Sequence, residues 1–209
     1  MIRRFSLVVA ALLALGGTPS GAQAQEPYRV RGILEQVGGD ELLISTREGV
    51  VMGFQLSPEI GIFVVSPARI EEIEPGDFIG LTTVSAGGRR VALEAHLFEE
   101  DLRGLGEGHY AWDLVEEPNM MTNATIAEVK ETGGDRQIEV TYGTGEGQAA
   151  GVQSIYLPTG VPIVKMARSE DRGLLQPGRG VMLIVMPVRD LTPQVIAAVV
   201  GNGAIDPPM

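Results

Sequence analysis

The sequence predicts an all-β protein made of two small β-barrels in tandem after a cleavable signal peptide. Its apolar stretches are short and end at Gly or Pro turns. The 28 glycines and the 5% aromatic content suit a chain with many tight turns, and the second half repeats the pattern of the first. An OB-type (oligonucleotide/oligosaccharide-binding) barrel is the first choice for each unit and an SH3-like barrel the second, because a closed barrel leaves no sheet edge exposed.

The first half is predicted to form a series of hairpins. An extended stretch begins at Tyr28, and its mixed alternation, with Gly32 as a bulge, is typical of a bent strand. Gly38-Gly39-Asp40 supplies residues for a tight turn. Further strands are predicted at 42–46, 50–56, 60–65, 78–85 and 90–98.

Between the third and fourth of these stretches the sequence predicts one or two helical turns over 68–74. Ile70 and Ile73 lie three residues apart, so they share one face of a helix. Pro75-Gly76 then ends the helix. In 90–98 the alternation of a strand directs His96 away from the face that carries Ala95 and Leu97.

The second half repeats this order of turns. Gly133-Gly134-Asp135 corresponds to Gly38-Gly39-Asp40, and Pro177-Gly178 corresponds to Pro75-Gly76. The offset between the copies grows only across turns, where chains tolerate insertions. We interpret this as a tandem duplication; the alternative is that common turn motifs make two β-rich stretches look alike.

These patterns predict five segments. They are a signal peptide at 1–24, a first barrel at 25–101, a connector at 102–121, a second barrel at 122–201 and a flexible tail at 202–209.

The first segment resembles a secretion signal, with Arg3 and Arg4, an apolar run from Leu7 to Leu15 and a small-residue stretch ending at Ala24. The run is about half the length that a spanning helix needs, about 20 residues. We therefore expect export to the periplasm by the general secretion route, with no membrane span after cleavage. The absence of Cys leaves no disulfide and no lipoprotein attachment point.

The charge balance argues against a nucleic-acid partner. The whole chain has a formal net charge of −11, and removal of the predicted signal takes away two arginines and no acidic residue. Nucleic-acid affinity comes largely from Lys and Arg that neutralise phosphates, so we expect no binding to nucleic acid.

The connector concentrates the residues that point to a binding site. It holds the single Trp, Trp112, one of the two histidines and a Met pair. Imidazole and thioether ligands favour copper, and carboxylates shift the preference toward zinc or Cu(II). The candidate metal ligands are His96, His109, Met120, Met121, Glu107 and Asp113. Their spacing matches no strong metal motif, and the alternative is that Trp112 and the Met pair fill the interface between the barrels.

Catalytic motifs are scarce in this sequence. There is no thiol, no Gly-x-Ser-x-Gly elbow and only two histidines to serve as a base. We therefore predict that the chain is not an enzyme; an acid/base hydrolase that uses Glu107 and His109 is the third hypothesis.

The central stretch also resembles a known family. Its residues are Leu-Glu-Ala-His96-Leu-Phe, Gly106-Glu107-Gly108-His109, Trp112-Asp113 and Met121-Thr-Asn-Ala124. The chain is similar to small exported proteobacterial proteins that are called hypothetical proteins or metal ABC transporter permeases. A permease needs several spanning segments, and the sequence predicts none after its signal. The resemblance implies a periplasmic protein, with a metal-related accessory role as one option, and it transfers no catalytic residue.

Together these patterns predict a non-enzymatic periplasmic binding protein whose connector forms a site for a small ligand or a metal ion. The alternative is an envelope adaptor that binds another protein without metal.

Overall fold

The structure, a computed structural model, describes residues 26–143 and 150–208. The predicted signal peptide, 1–24, and Met209 of the predicted tail lie outside these residues. The described chain consists of strands and three short 3-10 helices, so the predicted all-β class is confirmed. The strands are β1 (Tyr28–Gly38), β2 (Glu41–Thr46), β3 (Val51–Pro67), β4 (Phe78–Ala86), β5 (Arg89–Phe98), β6 (Gly108–Trp112), β7 (Asn119–Thr132), β8 (Asp135–Tyr142), β9 (Gly151–Leu157), β10 (Ile163–Ser169), β11 (Gly180–Met186) and β12 (Gln194–Gly201). The 3-10 helices are Ile70–Glu72, Glu100–Leu102 and Arg172–Leu174.

Five strands from both ends of the chain close the first barrel. β1 pairs with β2 and β11, β2 pairs with β3, and β12 pairs with β11 and β3. All of these pairings are antiparallel except that of β3 with β12. Counted within this barrel, the strand order is 1-2-3-5-4, which is the order of an OB barrel.

A second ring has the same order and uses the middle of the chain. β7 pairs with β8 and β4, β8 pairs with β9, and β4 pairs with β5. A short parallel contact between β5 and β9 closes the ring, with Arg90 opposite Ile155 and Val91 opposite Tyr156. β3 and β10 join the two rings, so the hydrogen-bonded sheet is continuous but rolled into two barrels.

The predicted division into contiguous barrels at 25–101 and 122–201 differs from this pairing. Each ring takes three consecutive strands from one half of the sequence and two from the other half. The long strand β3 provides the physical reason: it runs for 17 residues without a turn, which is about 56 Å of extended chain. β3 pairs with β2 at its start and with β10 at its end, and the next strands therefore continue in the second ring.

Three apolar clusters follow from this arrangement. One fills the first barrel around Phe54, Leu34 and Leu183. A second fills the other barrel around Leu81 and Ile138. The third lies between the barrels and consists of Phe63, Val65, Phe78, Phe98, Leu102, Val164, Met166, Met182 and Val199. Burial of this third cluster holds the two barrels against each other.

The connector is ordered along the second barrel. It begins at the last residue of the 3-10 helix Glu100–Leu102 and contains strand β6, which pairs antiparallel with β7. Trp112 packs against the cluster between the barrels. In the described part of the chain, no helix combines the length and apolar character needed to cross a membrane.

Candidate functional site

A cavity of about 370 Å³ lies between the two barrels, beside β6. Its volume is near the lower end of the range of small-molecule pockets, about 300–1,000 Å³. Most of its surface is apolar, and much of it comes from Phe63, Phe98, Met121, Met166, Met182 and Val199. The polar side chains that reach it are Arg29, His96, Tyr110, Trp112 and Asn123.

Gly80 lets two side chains of the cavity lining, His96 and Asn123, come close together. It lies on β4 between His96 on β5 and Asn123 on β7, in one row across three strands. A Cβ atom at Gly80 would overlap the His96 ring and lie 2.6 Å from Asn123 Oδ1. The absence of a side chain at Gly80 therefore lets His96 Nε2 and Asn123 Oδ1 approach each other above the strand.

A buried carboxylate holds the His96 ring in place. His96 Nδ1 lies 3.1 Å from Glu94 Oε2, and Glu94 Oε1 accepts hydrogen bonds from Thr82 N at 3.2 Å and Thr82 Oγ1 at 2.5 Å. Glu94 is 1% exposed and His96 is 3% exposed. Because a carboxylate accepts, His96 Nδ1 donates its proton to Glu94 Oε2.

Asn123 carries a buried amide on the other side of Gly80. Its Nδ2 donates to the Leu105 carbonyl at 3.1 Å and to Tyr110 Oη at 3.3 Å. Since Leu105 offers a carbonyl, which accepts only, these contacts set which way the amide points. Asn123 is 6% exposed, and its Oδ1 has no hydrogen-bond partner among the described residues.

Trp112 forms the other end of the cavity. It lies opposite Asn119 on β7, whereas Asn123 lies opposite Gly108, so the two ends are about 13 Å apart along the strand. The Arg29 guanidinium stacks 4.0 Å above the Trp112 ring centroid. Trp112 Nε1 is buried and has no hydrogen-bond partner within residues 26–143 and 150–208.

Asp113 anchors the arginines beside this end. Its Oδ1 lies 2.9 Å from both Arg29 Nε and Arg31 Nη2. Burial raises the pKa of Asp113, but the hydrogen bonds from Arg31 and Arg29 outweigh it and bring the pKa below the ordinary value of 3.8. The ion pairs tie β1 of the first barrel to the connector.

We expect Asp113→Asn to lower the free energy of unfolding at pH 7 by about 1 kcal/mol, because Asp113 is half-exposed and solvent screens the pair. A depressed pKa stabilises the fold above the unfolded-state pKa, near 3.8, and this stabilisation is lost as pH falls through the folded-state value. The variant and the parent protein should therefore converge only once the pH has fallen below 3.8, as Asp113 takes up its proton in the folded state. Urea unfolding at pH 7 and at low pH measures the difference in the free energy of unfolding between the variant and the parent protein. Asp101→Asn, at an exposed position, is the control. An equal loss of stability at both pH values would contradict the assignment of this stabilisation to the ionised Asp113 carboxylate.

The structure distributes the predicted metal ligands over several places. His96 and Met121 line the cavity. His109 lies on the opposite face of the sheet, where its Nδ1 is 2.8 Å from Thr122 Oγ1 and its ring stacks on Tyr142; Met120 alternates with Met121 and shares that face.

The two predicted carboxylate ligands have other partners. Glu107 Oε1 accepts from Gly143 N at 2.6 Å, and Asp113 binds the two arginines. Within the described residues no three His, Asp or Glu side chains are grouped so as to hold a metal ion. The six predicted ligands are therefore not assembled into one coordination sphere.

A wider groove of about 610 Å³ adjoins the cavity and contains Arg29, Arg31 and Arg47. Its cationic groups are held by the protein, since Asp113 pairs with the first two and Arg47 Nη1 donates to the Leu114 carbonyl at 3.2 Å. The smaller cavity, whose surface is mostly apolar, is the candidate site.

Sequence reasoning missed Gly80, Glu94 and Asn123 as members of the site. The sequence offers a signal for the first and the third of them. Gly80 interrupts the apolar stretch Phe78-Ile79-Gly80-Leu81, and Asn123 follows the apolar pair Met120-Met121 closely. The pairing that unites them depends on β4, β5 and β7, which come from different halves of the sequence.

Comparison of the chain with protein-family models, with curated proteins and with solved structures gave no match.

Proposed function

We propose that this chain is a periplasmic, non-enzymatic protein that binds one small, largely apolar molecule in the cavity between its barrels. The observation that carries the proposal is the cavity itself, an apolar space of about 370 Å³ between the barrels whose lining includes a few polar side chains. Buried polar groups in folded proteins nearly always have a hydrogen-bond partner, so a ligand that satisfies them gains affinity and orientation. The signal-like segment before the described residues supports the periplasmic location.

Binding fits the cavity better than catalysis does. His96 Nδ1 is engaged by Glu94, and the side chains around it are amides, aromatic rings and methionines rather than nucleophiles. The hydrolase hypothesis pairs Glu107 with His109, but Glu107 accepts from Gly143 N while His109 contacts Thr122. These contacts direct the two side chains to different partners.

The single tryptophan of the chain provides a direct test. Trp112 lines the cavity, so its fluorescence reports occupation without a label. We expect titration with 1-octanol, a nine-atom apolar probe, to shift the emission of the mature protein in a saturable manner. Isothermal titration calorimetry should give one site per chain.

A cavity-filling variant separates this site from non-specific adsorption. Ala197 on β12 lines the cavity, and Ala111 on β6 is exposed. Ala197→Phe should abolish the saturable response because the added ring occupies the space, while Ala111→Phe should leave it unchanged. Linear, non-saturating uptake by the parent protein, or an unchanged titration in Ala197→Phe, would refute the proposed function.

A further inference from the structure

The inference concerns the chemical class of the ligand and rests on the proposed function. It starts from the outer face of the first barrel, which contributes one wall of the cavity. Two rows of side chains cross β1, β11 and β12 on this face, because residues paired across antiparallel strands point to the same side. The first row is Arg29, Ile184 and Ala197, and the second row is Arg31, Met182 and Val199. The four apolar members line the cavity, and each row ends in an arginine on β1.

The wider groove beside the cavity gathers three arginines at this boundary. Arg29 lines both spaces, whereas Arg31 and Arg47 line the groove. The Arg31 side chain is only 8% exposed. Burial lowers the pKa of Arg31, its hydrogen bond to Asp113 opposes this shift, and the nearby charges of Arg47 and Arg29 add to it. The three guanidinium groups are therefore close enough to repel one another.

Within this cluster one carboxylate faces three guanidinium groups. Asp113 Oδ1 is shared, since it lies 2.9 Å from both Arg29 Nε and Arg31 Nη2. Arg47 Nη1 donates to the Leu114 carbonyl at 3.2 Å, which is a neutral acceptor. The positive charge of the cluster therefore exceeds the negative charge of Asp113.

Two other acidic residues line the groove, Glu48 and Glu116. Both are exposed, and the Glu48 carboxylate accepts a hydrogen bond from Thr46. Solvent and salt screen exposed charges more strongly than buried ones. These two carboxylates therefore offset the buried charge of Arg31 less than Asp113 does.

A guanidinium cluster of this kind suits an anionic group. Carboxylate and phosphate oxygens accept paired hydrogen bonds from arginine in a fixed geometry. Arg29 is already held, because it stacks 4.0 Å above the Trp112 ring centroid and pairs with Asp113. Little side-chain freedom remains to be lost on binding, which favours affinity.

The apolar wall determines the rest of the molecule. It extends from the arginines on β1 across β11 to β12, which is about 10 Å for two strand spacings. Its side chains offer no charge and no hydrogen bond to the part of a ligand that lies over them. A molecule that contacts both the wall and the arginines is therefore elongated, apolar along its length and charged at one end.

We infer that the ligand is an amphiphilic anion, whose apolar chain lies in the cavity between the barrels and whose carboxylate or phosphate group binds Arg29, Arg31 and Arg47 in the adjoining groove.

The test compares three probes with the same eight-carbon chain and different head groups, which are 1-octanol, octanoate and octyl phosphate. We expect at least one of the anions to bind the mature protein about tenfold more tightly than the alcohol in calorimetric titrations at neutral pH, because hydrogen bonds to charged groups are the stronger ones. Added sodium chloride should reduce this preference. The anion that binds more tightly identifies the head group as a carboxylate or a phosphate.

Arg47→Gln tests the head-group site. Arg47 is exposed and makes its side-chain contact with a single carbonyl, so the variant removes a charge and leaves the ion pairs of Asp113 intact. We expect the preference for the anion to fall at least threefold. Arg69→Gln is the matched control, because the Arg69 side chain is 79% exposed and pairs with Glu72 outside the groove and the cavity.

Two further measurements test the position of the chain. Ala197→Phe fills the cavity, so it should abolish saturable binding of the octyl anions as well as of the alcohol. Acetate carries the head group without the chain, and it should bind about a hundredfold more weakly than octanoate or worse, because it buries little apolar surface.

The outcomes are distinguishable. An anion preference that falls with salt and in Arg47→Gln, together with loss of binding in Ala197→Phe, supports the inference. Saturable binding of 1-octanol with equal or weaker binding of both anions would overturn the inference and leave the proposed function standing. Acetate as tight as octanoate, or equal responses of Arg47→Gln and Arg69→Gln, would overturn it as well. If none of the three octyl probes binds, the proposed function fails, and the inference fails with it.

Discussion

Replacing Gly80 with alanine is expected to lower the free energy of unfolding by about 1–3 kcal/mol and to abolish binding in the cavity. The new methyl group would overlap the His96 ring and lie 2.6 Å from Asn123 Oδ1. Neither side chain can move away cheaply, because Glu94 holds His96 and the Leu105 carbonyl holds Asn123. Urea unfolding measures the first effect and 1-octanol titration the second.

Gly38→Ala is the matched control for this substitution. Gly38 also lies on a strand, but a Cβ atom there would meet nothing within 4 Å among the described residues. We expect Gly38→Ala to leave binding unchanged and stability within about 0.5 kcal/mol. If Gly80→Ala matched this control in both measurements, the described approach of His96 and Asn123 over Gly80 would be wrong.

Removal of the Glu94 carboxylate is expected to cost about 3 kcal/mol or more in stability. Glu94→Ala would leave the Thr82 backbone N–H and His96 Nδ1 without their acceptor, and all three residues are at most 3% exposed. The cavity should also bind 1-octanol more weakly, because the His96 ring is no longer held in one orientation. Chemical denaturation and calorimetric titration measure the two losses.

Glu94→Gln tests which property of the side chain matters. Glutamine keeps the shape and one carbonyl oxygen, so it can still accept from Thr82 while giving up the negative charge. We expect a smaller loss of stability than with alanine. A loss in Glu94→Ala below 1 kcal/mol would show that the buried hydrogen bonds contribute little.

The positions of most strands could be predicted, because the residues that form a turn are neighbours in the sequence. The Gly38-Gly39-Asp40 turn separates β1 from β2 where expected, and the helical turn predicted near Ile70 is the 3-10 helix Ile70–Glu72. The alternation along β5 also holds, since Ala95 and Leu97 pack inside the second barrel while His96 faces the cavity. Side-chain period and positive-φ glycines are properties of a few neighbouring residues.

The exchange of strands between the halves could not be predicted from such patterns. An inward-facing apolar residue looks the same whichever barrel it fills, and the two copies have similar patterns. What distinguishes the arrangements is the path of the chain after β3, which continues to Pro67 before it turns. That path depends on pairing with β10 and β12, about 100 residues or more later in the sequence.

The predicted metal ligands lie apart for a related reason, which is the register of strand pairing. His96 and His109 are close in sequence. The register of strand pairing, however, places His96 opposite Gly80 on β4 and His109 opposite Thr122 on β7. Gly80 and Thr122 are not partners: Thr122 lies opposite Leu81, one residue further along β4. A shift of one residue turns a side chain to the other face of a sheet, and this shift separates the two histidines.

Strands of both rings line the cavity, and a disulfide test addresses the strand exchange most directly. The chain has no native cysteine, so an introduced pair can bond only with each other within one chain. Gln55 on β3 lies opposite Gln194 on β12, and neighbouring strands are close enough for a disulfide. If each barrel came from one contiguous half of the sequence, β5 would take the place of β12 beside β3. Arg90 on β5 occupies the position in the second ring that Gln194 occupies in the first, so Gln55 would then lie opposite Arg90.

The measurement is disulfide formation under mild oxidation, read by mass spectrometry and non-reducing electrophoresis of the monomer. The account predicts that Gln55→Cys/Gln194→Cys forms the bond in nearly every chain, whereas Gln55→Cys/Arg90→Cys remains reduced. The reverse result would contradict the exchanged barrels and the cavity that they enclose.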